Sequence, residues 1–353
     1  KRTVPAHCEV LPISPKRLKT YKALQYVFSP HVWKEVIYLA KHRLSPFSIL
    51  NIKTILVAYV KAKLLYQITK PYIDKNTVGY AYWSDFTALS LTFWPAYNRT
   101  LSRCHGWDLY FDVHPNIYLP FRERLIQKLH VVASVSVYGK RYIQSVWTNK
   151  TLDHVIVARL GVKPQAILTQ PNRNLIFSCS TLIAIKRLEL IIEALKRIPR
   201  PIQWVHAGDG ELEERLKQAA SDPALAHHRI TFLGHLKNDD IIAFIKNRQP
   251  GLFINTSASE GIPVSIMEAM SFGVPSIAPD VGGVSEIINN RNGCLLPADV
   301  SPDMLASEIV RFLEMDEKTY QTYSTQAYLT WQELYNNESN YKQFGELLTK
   351  SSR

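Results

Sequence analysis

The chain is poor in the residue patterns that build metal and disulfide sites. Its 353 residues include only four cysteines, and no two of them have C-x-x-C spacing. Scattered cysteines are typical of reduced thiols in a cytoplasmic protein, and they predict neither a cysteine metal cluster nor a disulfide framework. The motifs D-x-D, H-E-x-x-H and G-x-S-x-G are also absent. We therefore expect no resident metal ion, and in particular no carboxylate-held Mg²⁺ or Mn²⁺.

Long hydrophobic runs are missing as well. No apolar run approaches the ~18–20 residues that a membrane-spanning helix needs, and Lys1 does not begin a recognisable signal peptide. We therefore expect a cytoplasmic protein. Glycine is scarce in the first half of the chain, where only Gly79, Gly106, Gly139 and Gly161 occur. This half is predicted to hold no glycine-rich phosphate loop near its start.

Acidic residues are scarce in the same half. Up to Lys163 the chain has 24 lysines and arginines against 8 aspartates and glutamates, a net charge of +16, whereas the remainder carries −4. A basic half of this kind indicates an acidic partner, such as membrane phospholipid, a phosphorylated lipid carrier, acidic polysaccharide or nucleic acid. A solvated basic surface without a partner is the alternative.

What the chain does have is a regular alternation of strand-like and helical patterns. Short apolar runs such as Val131–Val137 and Leu175–Cys179 alternate with segments of helical spacing such as Trp33–Leu44. Ile52–Thr69 fits either a helix that packs on a sheet with its lysines in solvent or a helix that lies on a membrane surface. The other predicted strands are Glu9–Ile13, Thr77–Tyr82, Leu101–His105, Gln203–Ala207, Ile230–Leu233, Gly251–Asn255 and Ser276–Ala278. The other predicted helices are Phe86–Trp94, Phe121–His130, Tyr138–Trp147, Arg187–Arg197, Glu211–Ala220, Asp239–Lys246 and Val264–Phe272.

This order of elements favours parallel sheets with helices on both faces. We expect an α/β protein of two doubly wound Rossmann-like domains. A linker is predicted at Gly161–Pro164, and a second βα series begins at Asn174. The predicted domains are 1–165 and 166–325, followed by a helical segment over 326–353 that packs back toward the first domain. In such sheets ligands bind at the carboxyl ends of the strands.

The most informative stretch is Gly251–Gly273. It predicts a strand, a polar loop and a helix that begins after Pro263 and is stopped by Gly273. The loop and the first helical turn offer free N–H groups at the positive helix end, which suits an anion. Glu260 and Glu268 would repel an anion, so we expect them to accept hydrogen bonds from hydroxyl groups. A ligand that has a phosphate flanked by hydroxylated rings is a nucleotide-sugar, so we expect one to bind here. The alternative is that the two glutamates lie on the surface and have no function.

Further signals lie on the same predicted edge of the second domain. Lys186 and Arg187 lie at the start of a predicted helix, where two cations are unfavourable beside the positive end of the helix dipole. An anionic ligand bound there would relieve this repulsion. A solvated cation pair is the alternative. Glycine turns follow three other strands, where backbone groups could approach a base or a ribose. These turns are Gly208-Asp209-Gly210, Gly234-His235 and Gly282-Gly283. His105 is a lone histidine, and by itself it fits a structural role better than a catalytic one.

Together these stretches resemble the retaining glycosyltransferases of family 4, which include bacterial surface-polysaccharide enzymes. The resemblance implies the GT-B architecture, in which two Rossmann-like domains face a cleft. The resemblance covers nearly all of residues 174–313, in five blocks that occur in the expected order. These blocks are Ser178–Leu195, His206–Gly210, Ile230–Leu236, Ser257–Gly273 and Pro275–Leu296. Before Lys163 it is weaker and rests on Tyr80–Asp85 and Arg103–Tyr110.

The resemblance implies a role for each site residue. In the family, the first glutamate of the pair binds hydroxyls of the donor sugar and the second holds the ribose, which corresponds here to Glu260 and Glu268. Lys186 would bind the diphosphate and stabilise the leaving group, with Arg187 beside it. His105 would contact the donor sugar from the other domain, so the implied catalytic residues are His105, Lys186 and Glu260. The other implied donor-binding positions are Gly208, Asp209, Gly234, His235, Gly261, Ile262, Pro263 and Val264.

Two departures from the family pattern stand out. Thr181 occupies a position where the family commonly has an arginine, and Arg187, at a position where glycine is common, is expected to supply that charge. The family also begins with a strand, a glycine-rich loop and a helix. The first βα unit is therefore expected to be absent from the N-terminus of this chain.

The implied function is transfer of a sugar from a UDP- or GDP-linked donor to a hydroxyl of a saccharide or lipid-linked acceptor. The resemblance implies retained anomeric configuration, no metal ion and a place in surface-polysaccharide biosynthesis. The basic half suggests contact with an anionic membrane surface, at the inner face of the cell membrane. A non-catalytic nucleotide- or sugar-binding protein on the same scaffold is the alternative, and a nucleic-acid binder is less favoured.

Overall fold

The structure, a computed structural model, describes Cys8 and residues 25–42, 44–45 and 48–349. These residues form two compact units. One comprises the described part of Lys1–Ala133 with Tyr142–Ile156 and the described part of Leu348–Arg353, and the other comprises Ser134–Arg141 and Val157–Leu347. The domain bounds predicted from the sequence stay a prediction. The predicted strand at Glu9–Ile13 lies outside the described residues.

The first unit carries a four-stranded sheet in the order β1-β2-β3-β4. The elements up to β4 are α1 (Pro30–Lys41), α2 (Ile49–Thr69), β1 (Gly79–Ala81), α3 (Phe86–Leu91), β2 (Thr100–Cys104), α4 (Arg122–Lys128), β3 (Val131–Ser134), α5 (Val137–Tyr142) and β4 (Val155–Val157). β1 and β2 pair in parallel. The sequence patterns did not predict β4, and the predicted run Val131–Val137 ends as a strand at Ser134.

The helix α2 is partly buried. Ile55, Tyr59 and Val60 are buried, whereas Lys53 is exposed. The buried apolar side chains favour the packed-helix alternative, although Lys61 and Lys63 are half-buried and not fully in solvent. In the described part of the chain, no helix has both the length and the apolar character needed to cross a membrane.

The second unit carries a six-stranded sheet in the order β10-β9-β8-β5-β6-β7, and all five neighbouring pairs are parallel. Its elements are β5 (Asn172–Cys179), α6 (Glu189–Leu195), β6 (Gln203–Ala207), α7 (Glu213–Ala220), β7 (Arg229–Phe232), α8 (Asn238–Arg248), β8 (Pro250–Ile254), α9 (Val264–Ser271), β9 (Ser276–Pro279), β10 (Gly293–Leu296), α10 (Pro302–Glu314), α11 (Glu317–Leu334) and α12 (Asn337–Thr349). The strand order reverses between β5 and β8, as in dinucleotide-binding folds. Every predicted strand of this unit is present, and β10 was not predicted.

Alternating side chains fill both faces of this sheet. Phe177 and Val205 point into the core under α8, α9 and α11, whereas Ile176 and Trp204 point into the core under α6, α7 and α10. Successive residues of a strand face opposite sides, so a strand buried on both faces reads as a continuous apolar run. The predicted doubly wound sheet is therefore present in this unit.

Ser134–Arg141 belongs to the second unit because Glu286 holds the start of α5. Its carboxylate accepts hydrogen bonds from the amides of Val137 (2.9 Å) and Tyr138 (2.8 Å), and Arg159 lies 3.3 Å from it. A carboxylate at this position satisfies N–H groups that the first helical turn cannot pair. Glu286 and Val137 are 149 residues apart, and the sequence patterns gave no sign of this contact.

Candidate functional site

The two loops that carry the predicted donor residues meet at the centre of the second sheet. Lys186 follows β5 and Glu260 follows β8, which are the two strands at the reversal of strand order. At such a point neighbouring loops diverge to opposite faces of the sheet and leave a crevice outside the carboxyl ends of the strands. The topology therefore brings together two residues that are 74 positions apart.

Lys186 and Glu260 form a close ion pair. The Lys186 ammonium lies 2.6 Å from Glu260 Oε1, and Asn255 Nδ2 donates to the same oxygen at 3.3 Å. The side chains of Lys186 and Glu260 are 22% and 13% exposed, so the pair is sheltered but reachable. Glu260 Oε2 has no hydrogen-bond partner among the described residues, so it is placed to accept a bond from a ligand hydroxyl. Asn255 directly follows β8 and was not among the site residues predicted from the sequence.

The structure corrects the prediction made for Arg187. The residue is not in a helix: its φ is 48°, and α6 begins only at Glu189, which places an acid in the first turn. The guanidinium donates to the carbonyls of Thr256 (2.9 Å), Ser257 (3.2 Å) and Ala298 (3.0 Å). The conflict with the helix dipole therefore does not exist, and the visible role of Arg187 is to hold the loop after β8. Its contact with a diphosphate stays a prediction.

Two further hydrogen bonds join the loops after β5 and β8. The Thr256 hydroxyl donates to the carbonyl of Lys186 (2.7 Å), and the Ala258 amide donates to the carbonyl of Ile185 (2.7 Å). With Arg187, these bonds fix the backbone on both sides of the ion pair. Lys186 and Glu260 are therefore held in register by main-chain contacts and do not depend on their own pairing alone.

The start of α9 is an open helix terminus next to Glu260. Pro263 is the N-cap residue, and its side chain has no group that could cap the helix. The amides of Val264, Ser265 and Ile266 have no hydrogen-bond partner in the part of the chain that the structure describes. Uncapped N–H groups at a positive helix end suit a phosphate or another anion. The other end is as predicted, because Gly273 follows the helix with a φ of 74°.

Glu268 lies on the buried side of α9. It is 5% exposed, and Asn238 at the start of α8 donates a hydrogen bond to its Oε1. Burial raises the pKa of Glu268 to about 7, although the bond from Asn238 opposes the rise. Near neutral pH this carboxyl group therefore changes between a form that donates and a form that only accepts. Both forms can bind a sugar hydroxyl.

Glu268→Gln is expected to change how stability depends on pH. Because the pKa is higher in the folded chain (about 7) than its ordinary value of 4.5, the wild type loses this contribution as pH rises through that interval. From about pH 5 to about pH 8 the variant should gain roughly 2–3 kcal/mol in unfolding free energy relative to wild type. Urea denaturation at both pH values measures this difference in unfolding free energy. If the unfolding free energies of the two proteins change with pH in parallel, the buried position of Glu268 is contradicted.

Contacts within the protein explain why glycine occupies two positions in the loop after β6. A Cβ on Gly208 would overlap the carbonyl oxygen of Ser180, and one on Gly210 would lie 2.5 Å from the carbonyl oxygen of Leu182. The two residues have φ angles of 146° and 156°, which favour glycine. They let the loop after β6 pack on the loop after β5. Contact of Gly208 with a donor stays a prediction.

Beside this loop lie the other predicted donor residues. The His235 ring Nδ1 is 3.7 Å from Asp209 Oδ1, and the two side chains are 74% and 55% exposed. Gly234 has a φ of 68°, and a Cβ there would meet no heavy atom within 4 Å. The edge at β6 and β7 is therefore open, and a base could approach the backbone there without displacing protein atoms.

The loop after β9 supports the loop that carries Glu260. The Gly283 amide donates to the carbonyl of Gly261 (2.9 Å), and a Cβ on Gly282 would overlap the carbonyl oxygen of Glu260. Gly282 also has a φ of 58°. The weak Gly282-Gly283 signal is thus explained by a close approach of two backbones at the site.

A chain of buried hydrogen bonds fixes the start of the loop after β5. Trp204 Nε1 donates to Ser178 Oγ (2.9 Å), which lies 2.8 Å from His206 Nδ1, and His206 Nε2 lies 3.0 Å from the carbonyl of Ser180. A carbonyl can only accept, so the proton is on Nε2 and Ser178 donates to Nδ1. Burial lowers the pKa of His206 to about 4, which keeps the ring neutral. The sequence patterns did not predict this network, although Ser178 and His206 begin two of the blocks that carry the family resemblance.

His105 lies in the first unit, between two aromatic rings. Its ring centroid is 4.4 Å from those of Tyr82 and Trp83, and neither ring nitrogen has a hydrogen-bond partner in the described chain. Asp108 Oδ1 accepts from the His105 amide at 2.8 Å, and Oδ2 accepts from the Ser84 amide at 2.7 Å. The imidazole is thus held by packing, and its Nδ1 lies 3.9 Å from Asp108 Oδ2. Its predicted contact with a donor sugar stays a prediction.

The side chains of the site in the second unit suit phosphate and hydroxyl groups. They offer one ammonium, two carboxyl groups, two side-chain amides and an uncapped helix start. Across the described residues, no three His, Cys, Asp or Glu side chains are grouped so that they could hold a metal ion. That the phosphates are held without a metal stays a prediction.

Comparison with known proteins shows a family match over the same region. Residues 162–330 match the family model for glycosyl transferases group 1. The amylovoran biosynthesis glycosyltransferase AmsK of Erwinia amylovora is 30% identical over 176 residues, which are 44% of this chain and 42% of that protein. WcaL of Escherichia coli, a putative colanic acid biosynthesis glycosyltransferase, is 23% identical over 225 residues, 60% and 54% of the two chains. The chain spans about half the length of the curated relatives it matches.

Solved structures identify the fold. HepE of Anabaena, in complex with UDP, matches with a TM-score of 0.65 at 20% identity, over 82% of both chains. TarM of S. aureus matches with a TM-score of 0.68 at 15% identity, over 82% of this chain and 58% of TarM. The chain therefore has the GT-B fold with two Rossmann-like units, and its residues 162–330 are similar to the glycosyl transferases group 1 family. This confirms the predicted fold class.

Proposed function

We propose that the chain is a retaining glycosyltransferase that moves a sugar from a nucleotide-diphosphate sugar to a hydroxyl group. The observation that carries the proposal is the ion pair of Lys186 and Glu260 beside the uncapped start of α9. A cation and free helical amides fit a diphosphate, and a carboxylate next to them fits the hydroxyls of the attached sugar. Few ligands other than a nucleotide-sugar combine these groups.

Each residue then has one task in binding the donor. Lys186 exchanges its contact with Glu260 for the diphosphate, and the freed carboxylate accepts hydroxyls of the sugar. The amides of Gly261, Ile262 and Val264 contact the sugar and phosphate. Glu268 holds the ribose, and the open edge at His235 takes the base. Solved neighbours were crystallised with UDP and with UDP-glucose. This supports a nucleotide-sugar as the donor and favours a UDP-linked over a GDP-linked donor.

In the proposed reaction the bond from the anomeric carbon to the diphosphate breaks and a bond to the acceptor oxygen forms on the same face of the sugar. The departing diphosphate oxygen takes the acceptor proton, so no metal ion and no separate base are required. Negative charge grows on the diphosphate during this step, and Lys186 with the amides of α9 is placed to stabilise it. His105 contacts the donor sugar in this proposal.

The acceptor is proposed to be a saccharide or a lipid-linked saccharide of a surface polysaccharide. Two relatives are named for amylovoran and colanic acid biosynthesis, which supports this class. The 24 basic residues up to Lys163 support contact with an anionic membrane at its cytoplasmic face. Liposomes with and without anionic lipid test this part, and equal sedimentation with both would count against it.

A panel of nucleotide-sugars is expected to identify the donor by thermal shift. At a concentration of about 100 Kd, the correct donor should stabilise the fold by ~2.7 kcal/mol, and sugars on other bases should stabilise it less. We expect a UDP- or GDP-linked sugar to give the largest shift. No shift with any member would contradict the donor site. Binding without slow hydrolysis or transfer would favour the non-catalytic binding protein.

A further inference from the structure

A cavity of about 450 Å³ lies beside α2 in the first compact unit. Its walls are largely apolar and include Leu50, Val57, Phe86 and Leu119. The volume falls within the ~300–1,000 Å³ typical of small-molecule sites. No residue assigned to the donor lines this cavity, so the donor site does not explain it.

The cavity has an excess of positive charge. Lys53 and Lys61 line it from α2, and Arg122 lines it from α4. Of the described lining residues, Asp85 alone is acidic, and its Oδ1 already accepts hydrogen bonds from the amide and hydroxyl of Thr87 at 2.8 and 2.7 Å. An anion at the two lysines would therefore meet little repulsion and would gain two cationic partners.

Arg122 gives the wall a buried cation. The residue is 3% exposed, and its two terminal nitrogens donate to the carbonyls of Pro120 (3.3 Å) and Asp108 (3.1 Å). Its Nε has no hydrogen-bond partner among the described residues. Its guanidinium also lies 4.8 Å from the centroid of the Trp147 ring, which compensates part of the buried charge, and the unpaired Nε still favours a nearby anion.

The cavity shares two loops with the surroundings of His105. Trp107, two residues after His105, lines the cavity, and so does Asp85, two residues after Trp83. The Trp83 ring is 4.4 Å from the His105 ring. A ligand in the cavity therefore lies against the same two loops that hold the imidazole.

We propose that this cavity binds the hydrocarbon chain of a phosphorylated lipid, with Lys53 and Lys61 holding its phosphate. Apolar walls match an alkyl or prenyl chain, and cations at the wall match the phosphate. The identification of this lipid with the carrier of the acceptor rests on the proposed function. The binding itself does not.

Dodecyl phosphate, used below its micelle concentration, tests the site in the full chain. Calorimetry and the intrinsic tryptophan fluorescence, to which Trp107 contributes, should report saturable binding, with dodecanol and inorganic phosphate about tenfold weaker or more. Reversing two charges in Lys53→Glu/Lys61→Glu should weaken dodecyl phosphate about tenfold. The matched control Lys70→Glu/Lys75→Glu alters two exposed lysines outside the cavity and should change affinity by less than about twofold.

Val57→Trp fills the cavity and should abolish dodecyl phosphate binding, while nucleotide binding in the second unit is unchanged and serves as the check on folding. Unaltered dodecyl phosphate binding in this variant, or equal affinity for dodecanol, would overturn the assignment. Dodecyl phosphate binding in a chain that never turns over a nucleotide-sugar would contradict the proposed function and support the lipid site. Turnover of a nucleotide-sugar without dodecyl phosphate binding would contradict the lipid site and support the proposed function.

Discussion

Lys186→Ala is expected to slow nucleotide-sugar turnover by about 10²–10³-fold. In the structure the Lys186 ammonium lies 2.6 Å from Glu260 Oε1, beside the open start of α9. In the proposed reaction it stabilises charge that appears on the diphosphate only as the glycosidic bond breaks. The loss should therefore fall more on kcat than on KM, and steady-state release of sugar from the preferred donor measures it.

Two matched variants separate this effect from a general loss of charge. Lys237→Ala removes an exposed lysine of the same unit and should leave kcat within about twofold of wild type, as expected for a surface site. Lys186→Arg keeps the charge on a planar group with different reach, so only part of the activity should return. Wild-type kcat in Lys186→Ala, in a chain that melts normally, would show that Lys186 does not stabilise the leaving group.

Gly282→Ala is expected to lower the free energy of unfolding by about 2–5 kcal/mol. The left-handed backbone at Gly282, with a φ of 58°, costs any side chain ~1–2 kcal/mol. Its Cβ would also overlap the carbonyl oxygen of Glu260, and relieving such overpacking costs typically ~1–3 kcal/mol. The loop that must move carries Glu260, so donor binding should weaken together with stability. Urea denaturation and donor titration measure the two effects.

Gly234→Ala is the matched control for this prediction. Its φ of 68° is also left-handed, but a Cβ there meets no heavy atom within 4 Å. It should therefore cost only the backbone term of ~1–2 kcal/mol. If both variants lower the free energy of unfolding by the same amount, the loop after β9 does not pack against the Glu260 loop as closely as the structure shows.

The order of helices and strands in the second unit could be predicted because each strand there is short, apolar and followed by a turn residue. Gln203–Ala207 has the predicted bounds, and Gly273 ends α9 as expected. β10 was missed because its burial pattern mixes buried and half-buried residues in a run of four. The start of α6 was misplaced because the left-handed conformation of Arg187 depends on its bonds to Thr256 and Ser257, about 70 residues away.

That Lys186 and Glu260 lie on one edge of the second sheet could be predicted, whereas the contacts that position them could not. Lys186 and Glu260 stand out because charged residues follow apolar strands, and the parallel sheet brings those strand ends together. The partner of Glu268 is Asn238, at the start of another helix, and no local pattern links the two. The glycines Gly208 and Gly282 read as simple turns, since the carbonyls they must avoid belong to loops distant in sequence.

The anomeric configuration of the first sugar product, followed by NMR while the chain consumes its preferred nucleotide-sugar, tests the central proposal most directly. We predict turnover in which the product keeps the configuration of the donor, and a loss of that turnover in Lys186→Ala. A product of opposite configuration, or tight donor binding without any transfer or hydrolysis, would contradict the proposed reaction.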